Sequence, residues 1–124
     1  MDLSSLEGVS GLMSLTNLEL RSNHSLSSIQ GVQDLENLET FIIESNRDLI
    51  SLKGLSKLDN IRKLEINNND SLLNLKGLSG LDKLEELIIK NNDNLNSLDG
   101  LSNLKNIKKL ELSYNKALKS LRGI

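Results

Sequence analysis

The sequence predicts an α/β-class solenoid, in which short parallel strands, one per repeat, stack into a sheet and are joined by tight turns. Three observations predict it. The first is a period of 23 residues. The stretch from Ile61 to Lys83, IRKLEINNNDSLLNLKGLSGLDK, returns as LEELIIKNNDNLNSLDGLSNLKN from Leu84 and as LETFIIESNRDLISLKGLSKLDN from Leu38. The second is a pair of beats held in register: Gly8, Gly31, Gly54, Gly77, Gly100 and Gly123, and Asn23, Asn46, Asn69, Asn92 and Asn115. The third is a change of apolar spacing within each copy, from two to three. A fixed period of roughly 20 to 30 residues marks stacked units that bury their apolar faces only against each other.

The elements follow in order. Residues 3–14 form the back half of a repeat; complete copies span 15–37, 38–60, 61–83 and 84–106, and a partial copy spans 107–124. All belong to a single domain, 1–124. In each copy a segment of period 2 reads as a short strand with alternate residues on opposite faces. These segments are Leu18-Glu19-Leu20, Phe41-Ile42-Ile43, Leu64-Glu65-Ile66, Leu87-Ile88-Ile89 and Leu110-Glu111-Leu112. After the Asn, apolar residues recur every third position, as in Leu72, Leu75, Leu78, Leu81 and Leu84. That spacing suits extended turns or short 3-10 pieces and is too tight for a long α-helix. Stacked strands then lie about 4.8 Å apart.

The frame L-x-x-L-x-L-x-x-N-x-x-L, with Leu, Ile or Phe in its L slots, resembles that of leucine-rich-repeat proteins over residues 3 to 124. The resemblance implies a curved, right-handed superhelix with a concave parallel β-sheet and an irregular or 3-10 convex side. Two residues separate the Asn from the next Leu, where many short repeats of the family have one. The N-x-x-L-x-x-L-x-G-L rhythm is similar to receptor L-domain repeats, although their Cys-bounded caps and aromatic ladders are missing here.

The rhythmic polar residues read as structural. An Asn at the strand-to-turn corner can satisfy backbone groups whose burial unpaired costs about 1–3 kcal/mol each. A Gly on the beat supplies a backbone angle or a close approach that a Cβ forbids. Two corner residues, Asn23 and Asn69, begin N-x-S sequons; side chains buried in a ladder are not acceptors.

Composition narrows the function. Net charge is −2 with both signs interspersed, so the basic footprint of a nucleic-acid binder is missing. No stretch approaches the roughly 20 apolar residues of a membrane span. The segment MDLSSLEGVS has neither the basic n-region nor the apolar h-region of a signal peptide. Enzymatic inventory is thin: there is no Cys, His24 is the single His, and no glycine-rich phosphate loop follows a strand. Glu85 and Glu86 are adjacent carboxylates, but consecutive strand residues point to opposite sides. Asp48, Asp70 and Asp93, with Asn68, Asn91 and Asn94, are oxygen donors on adjacent turns. Their spacing matches no Ca²⁺ loop and they read as solvated turn residues. Neither a metal nor a cofactor is expected.

Stacking turns sequence columns into spatial ones. The middle column of the exposed sheet face is Glu19, Ile42, Glu65, Ile88, Glu111, and a flanking column ends in Lys90 and Ser113. Charges are expected to pair along the ladder as Glu39–Arg62–Glu85–Lys108 and Lys63–Glu86–Lys109. Ile42, Ile88 and Tyr114 occupy solvent-facing slots that other copies fill with polar residues. The expected function is binding of a protein partner through the concave face, by Ile42, Glu65, Ile88, Lys90, Glu111 and Tyr114. The alternative is a structural spacer, or an uncapped segment of a longer array. Both ends stop in mid-repeat without a polar terminal unit, which leads us to expect end-to-end self-association.

Overall fold

The computed structural model describes residues 2–124 and contains one five-stranded parallel sheet in sequence order. Its strands are β1 (Asn17–Arg21), β2 (Thr40–Glu44), β3 (Lys63–Asn67), β4 (Glu86–Lys90) and β5 (Lys109–Ser113). Every pairing is in register by one period, for example Leu64 with Leu87 and Ile66 with Ile89. The helical content of the described residues is four 3-10 turns: Val9–Gly11, Val32–Asp34, Leu55–Lys57 and Lys76–Leu78.

The spacing of three has a direct backbone cause. In the copy from Ile61 and on into the next, the amides of Leu72, Leu78, Leu81 and Leu84 each return to the carbonyl three residues back, at 3.0–3.2 Å. Each turn advances three residues, so every third side chain faces inward. Ile61, Leu64, Ile66, Leu72, Leu75, Leu78 and Leu81 are accordingly buried, and they join one continuous core. At about 1.5–3 kcal/mol per fully buried aliphatic side chain, this layer is the main stabilising term.

A second repeated device closes the turn before each glycine. The side-chain oxygen of Ser28, Ser51, Asn74, Ser97 or Ser120 accepts the amide two residues on, at 3.0–3.3 Å. These are Asx- and Ser-turns, which supply a local acceptor where the backbone leaves the core. The glycine that follows serves either purpose expected of it. At Gly31, with φ +112, an added Cβ would also lie 2.6 Å from the Leu6 carbonyl oxygen. Gly77 instead sits inside a 3-10 turn, and its added Cβ would strike the Leu52 carbonyl.

The two ends differ. At the first, the Leu3 amide donates to Asn23 Oδ1 at 3.1 Å, and the Asp2 carboxylate accepts from the Ser25 amide and hydroxyl at 3.1 and 2.9 Å. Leu6 is buried beneath this segment. At the other, Leu110, Leu121 and Ile124 are 38%, 67% and 61% exposed. A small apolar cavity of about 70 Å³, lined by Leu87, Leu101, Leu104, Ile107, Leu110 and Ile124, opens there.

Candidate functional site

The asparagine column is a hydrogen-bonded ladder inside the corner. Asn69 is fully buried. Its Oδ1 accepts the Asn46 amide at 3.0 Å, and its Nδ2 donates to the Ile43 and Asn67 carbonyls, both at 3.0 Å. Asn46 and Asn92 repeat the arrangement one layer back and one layer on. Asn115 closes it, accepting from the Asn92 amide and donating to the Ile89 carbonyl. Each carboxamide thus ties its own strand end to the layer before it. The sequon residues Asn23 and Asn69 are both buried in this ladder, so their amide nitrogens are withdrawn from solvent.

Just before the ladder lies the column that contains Tyr114. Ser22, Ser45, Asn68, Asn91 and Tyr114 all have φ between 54° and 59°. A left-handed residue is required there because the chain leaves the strand and turns into the corner at once. Asn and small polar residues tolerate it best, which is why two of the five are Asn. That enrichment was the available signal.

The open face of the sheet carries the first, third and fifth residue of each strand. Its charges neutralise one another, though not as the column reading expected. Arg21 reaches Glu19 at 2.8 Å and also contacts Glu44 on the next strand. Lys63 bonds Glu65, two residues along its own strand, at 3.0 Å and only approaches Glu86, at 4.0 Å. Lys90 reaches Glu111 across the strands at 2.8 Å. Of the expected Lys63–Glu86–Lys109 series, the first pair forms, as the long contact just given, and the second is corrected: among the described residues Glu86 and Lys109 form no ion pair with each other. Lysine is long enough to choose between i+2 and the next layer, and column order alone does not fix the choice. Along the sheet margin Glu85 holds both Arg62 and Lys108, at 3.1 and 3.0 Å, while Glu39 stays outside the series.

Titration follows these contacts. Hydrogen bonding to Glu65 holds the Lys63 ammonium above its usual range. The Lys90 hydrogen bond holds Glu111 low, and Lys108, followed by Arg62, does the same for Glu85. Solvent screens these surface pairs, so they orient side chains on the face more than they stabilise the fold.

The apolar residues of the face separate. Ile88 is 8% exposed, which corrects the solvent-facing slot expected for it. Its register neighbours Glu65 and Glu111, and Glu86 and Lys90 on its own strand, share its face, and long side chains cover an apolar neighbour with their stems. Ile42, flanked by Glu19 and Glu65, remains partly exposed. Tyr114 stands at the rim with 76% of its surface exposed. One polar atom of the face is orphaned: Asn67 Oδ1 is buried with no hydrogen-bond partner among the described residues.

The acidic turns do not converge. Asp93 is bound by Lys116 at 2.9 Å, and the Asp70 carbonyl accepts from Asn94 at 2.7 Å. Among the described residues, no three His, Cys, Asp or Glu side chains cluster in a way that could hold a metal ion.

No protein-family model matches the sequence, and no curated protein matches it. Among solved structures, the chain is similar to the crystal structure of an internalin C2 from Listeria monocytogenes, at 19% identity and a TM-score of 0.58. The match covers 99% of this chain and 72% of that one. With its repeat frame, in-register parallel sheet and buried asparagine ladder, the chain has the leucine-rich-repeat solenoid fold.

Proposed function

We propose that the chain is a non-enzymatic recognition module that binds a protein through the open face of its sheet, with Ile42, Glu65, Ile88, Lys90, Glu111 and Tyr114 forming the contact region. One observation carries this reading. In four copies the left-handed corner is filled by Ser or Asn, which suit that backbone; the fifth places Tyr114 there, fully out of the core. An aromatic ring is the poorer choice for the corner and the better one for an interface, where Tyr is enriched among energetically dominant contacts. On the same face Arg21, Lys63 and Lys90 are already paired with carboxylates, so the exposed apolar surface of Ile42 and Tyr114 is what a partner gains most by covering. Ile88 forms the floor of the region. The solved internalin shares the fold.

Capture on immobilised protein tests the proposal. A partner held by the wild type is expected to be lost by Ile42→Glu combined with Tyr114→Ser, with melting unchanged. A partner retained by that variant places the binding site elsewhere.

A further inference from the structure

The centre of the open face holds an oxygen that the fold leaves unused. Asn67 is the last residue of β3, the middle strand, and its Oδ1 is buried with no hydrogen-bond partner among the described residues. A buried acceptor without a donor is a net cost to the folded chain, and native structures hold few of them. The charged neighbours that share the face all bond away from it. Glu44, the register partner on β2, contacts Arg21, and Lys90, the partner on β4, is held by Glu111 at 2.8 Å. Glu65, two residues back on β3, is held by Lys63 at 3.0 Å.

Charge selects the kind of donor that this oxygen takes. The two carboxylates beside Asn67 on the face, Glu44 and Glu65, are already engaged by Arg21 and Lys63. An incoming ammonium or guanidinium would therefore lose its water without gaining an unpaired carboxylate there. A neutral N–H loses far less on desolvation and needs one acceptor. Shape selects what carries it. Ile42 and Ile88 are both paired in register with Glu65, so they stand diagonally to Asn67, one on each side. That spacing is within reach of an aromatic ring. Indole is donor-only, so it fills an acceptor without bringing an unpaired one of its own.

We propose that Asn67 Oδ1 is a specificity-determining acceptor of the sheet-face site, a role that rests on that face being the binding surface. The partner fills it with a neutral N–H donor on an apolar body, as in the indole of a tryptophan, whose ring lies over Ile42 or Ile88. Asn67 as a whole is half-buried, and the side chains of Glu44 and Lys90 beside it are partly exposed. Exposed side chains change rotamer rapidly, and rotation of these two uncovers the oxygen to a donor. A partner that lacks the N–H leaves the acceptor unpaired under the contact, which is how a site built to bond a donor rejects an isostere without one.

Side-chain NMR titrations of wild type and Asn67→Leu with indole, 1-methylindole and guanidinium test the assignment. The two indoles share an apolar body and differ in the N–H. Indole is expected to shift the Asn67 carboxamide and Ile42 methyl signals of the wild type saturably, and to bind about fivefold tighter than 1-methylindole. Asn67→Leu is expected to bind the two alike and to melt higher than wild type, because the orphaned acceptor is gone. Equal binding of the two indoles by wild type would overturn the acceptor role and leave the face standing as a binding surface. A larger saturable shift at Asn67 with guanidinium than with indole would overturn the neutral donor. A lower melting temperature for Asn67→Leu would mean that Oδ1 is satisfied within the fold, and it too would overturn the role. So would the absence of any shift on the face, and the capture experiment would then decide the face by itself.

Discussion

Asn69 shows what a single side chain does in this fold. Its carboxamide satisfies one buried amide and two carbonyls from two adjacent layers. Truncating it strands those groups away from water at about 1–3 kcal/mol each when left unpaired. Asn69→Ala is therefore expected to lower stability by about 3 kcal/mol or more, read from the urea midpoint; an unchanged midpoint would remove the ladder from the account. The left-handed corner makes a second case. Ser45 has φ 59°, where a side chain costs about 1–2 kcal/mol relative to glycine, and glycine gives back part of that through the freer unfolded chain. Ser45→Gly should raise the thermal midpoint slightly, and Ser45→Val should lower it, since a β-branched residue is least tolerant there. A third residue sets an acid limit. Donation from the Ser25 amide, and then from its hydroxyl, holds the Asp2 carboxyl below the usual carboxylate range. A depressed folded value means that its contribution is complete above about pH 4, the unfolded value, and is lost as pH falls through the lower folded value. Asp2→Asn should therefore flatten the acid end of the stability profile and leave its shape near neutrality unchanged.

At the scale of one repeat, the three-residue turn decides which leucines matter. Leu72 and Leu73 are neighbours, but Leu72 is fully buried and Leu73 is 48% exposed. Leu72→Ala should cost about 2–5 kcal/mol in chemical denaturation, and Leu73→Ala about 0.5 or less. The repeat frame alone ranks these two correctly, because Leu72 fills an apolar slot and Leu73 does not. Strand positions, inward residues and the asparagine column were legible for the same reason: they depend on period and on backbone alternation. The pairing of Lys63 with Glu65, the cover over Ile88 and the hold of Asp2 on Ser25 were not. Those depend on which of several long or mobile side chains reaches a given atom, and spacing leaves several partners within reach. The left-handed column lay between: its location follows from the frame, but only the asparagines at two of its five positions hint at the backbone angle.

Across the whole molecule the layers are alike while the sheet face is not, and the proposed binding follows that difference. Tyr114 breaks the Ser/Asn column at the rim of the open face, and Ile42 stays partly exposed on that face. Ile50, 57% exposed beyond the corner and away from the sheet strands, provides an apolar control outside the proposed site. The most direct measurement is the affinity of a partner captured by the wild type, compared among Ile42→Glu/Tyr114→Ser, Ile50→Glu and unaltered protein. The account predicts at least about a tenfold loss for the sheet-face variant, as removal of two interface contacts would give, and wild-type affinity for Ile50→Glu. Equal affinity for wild type and the sheet-face variant would contradict it.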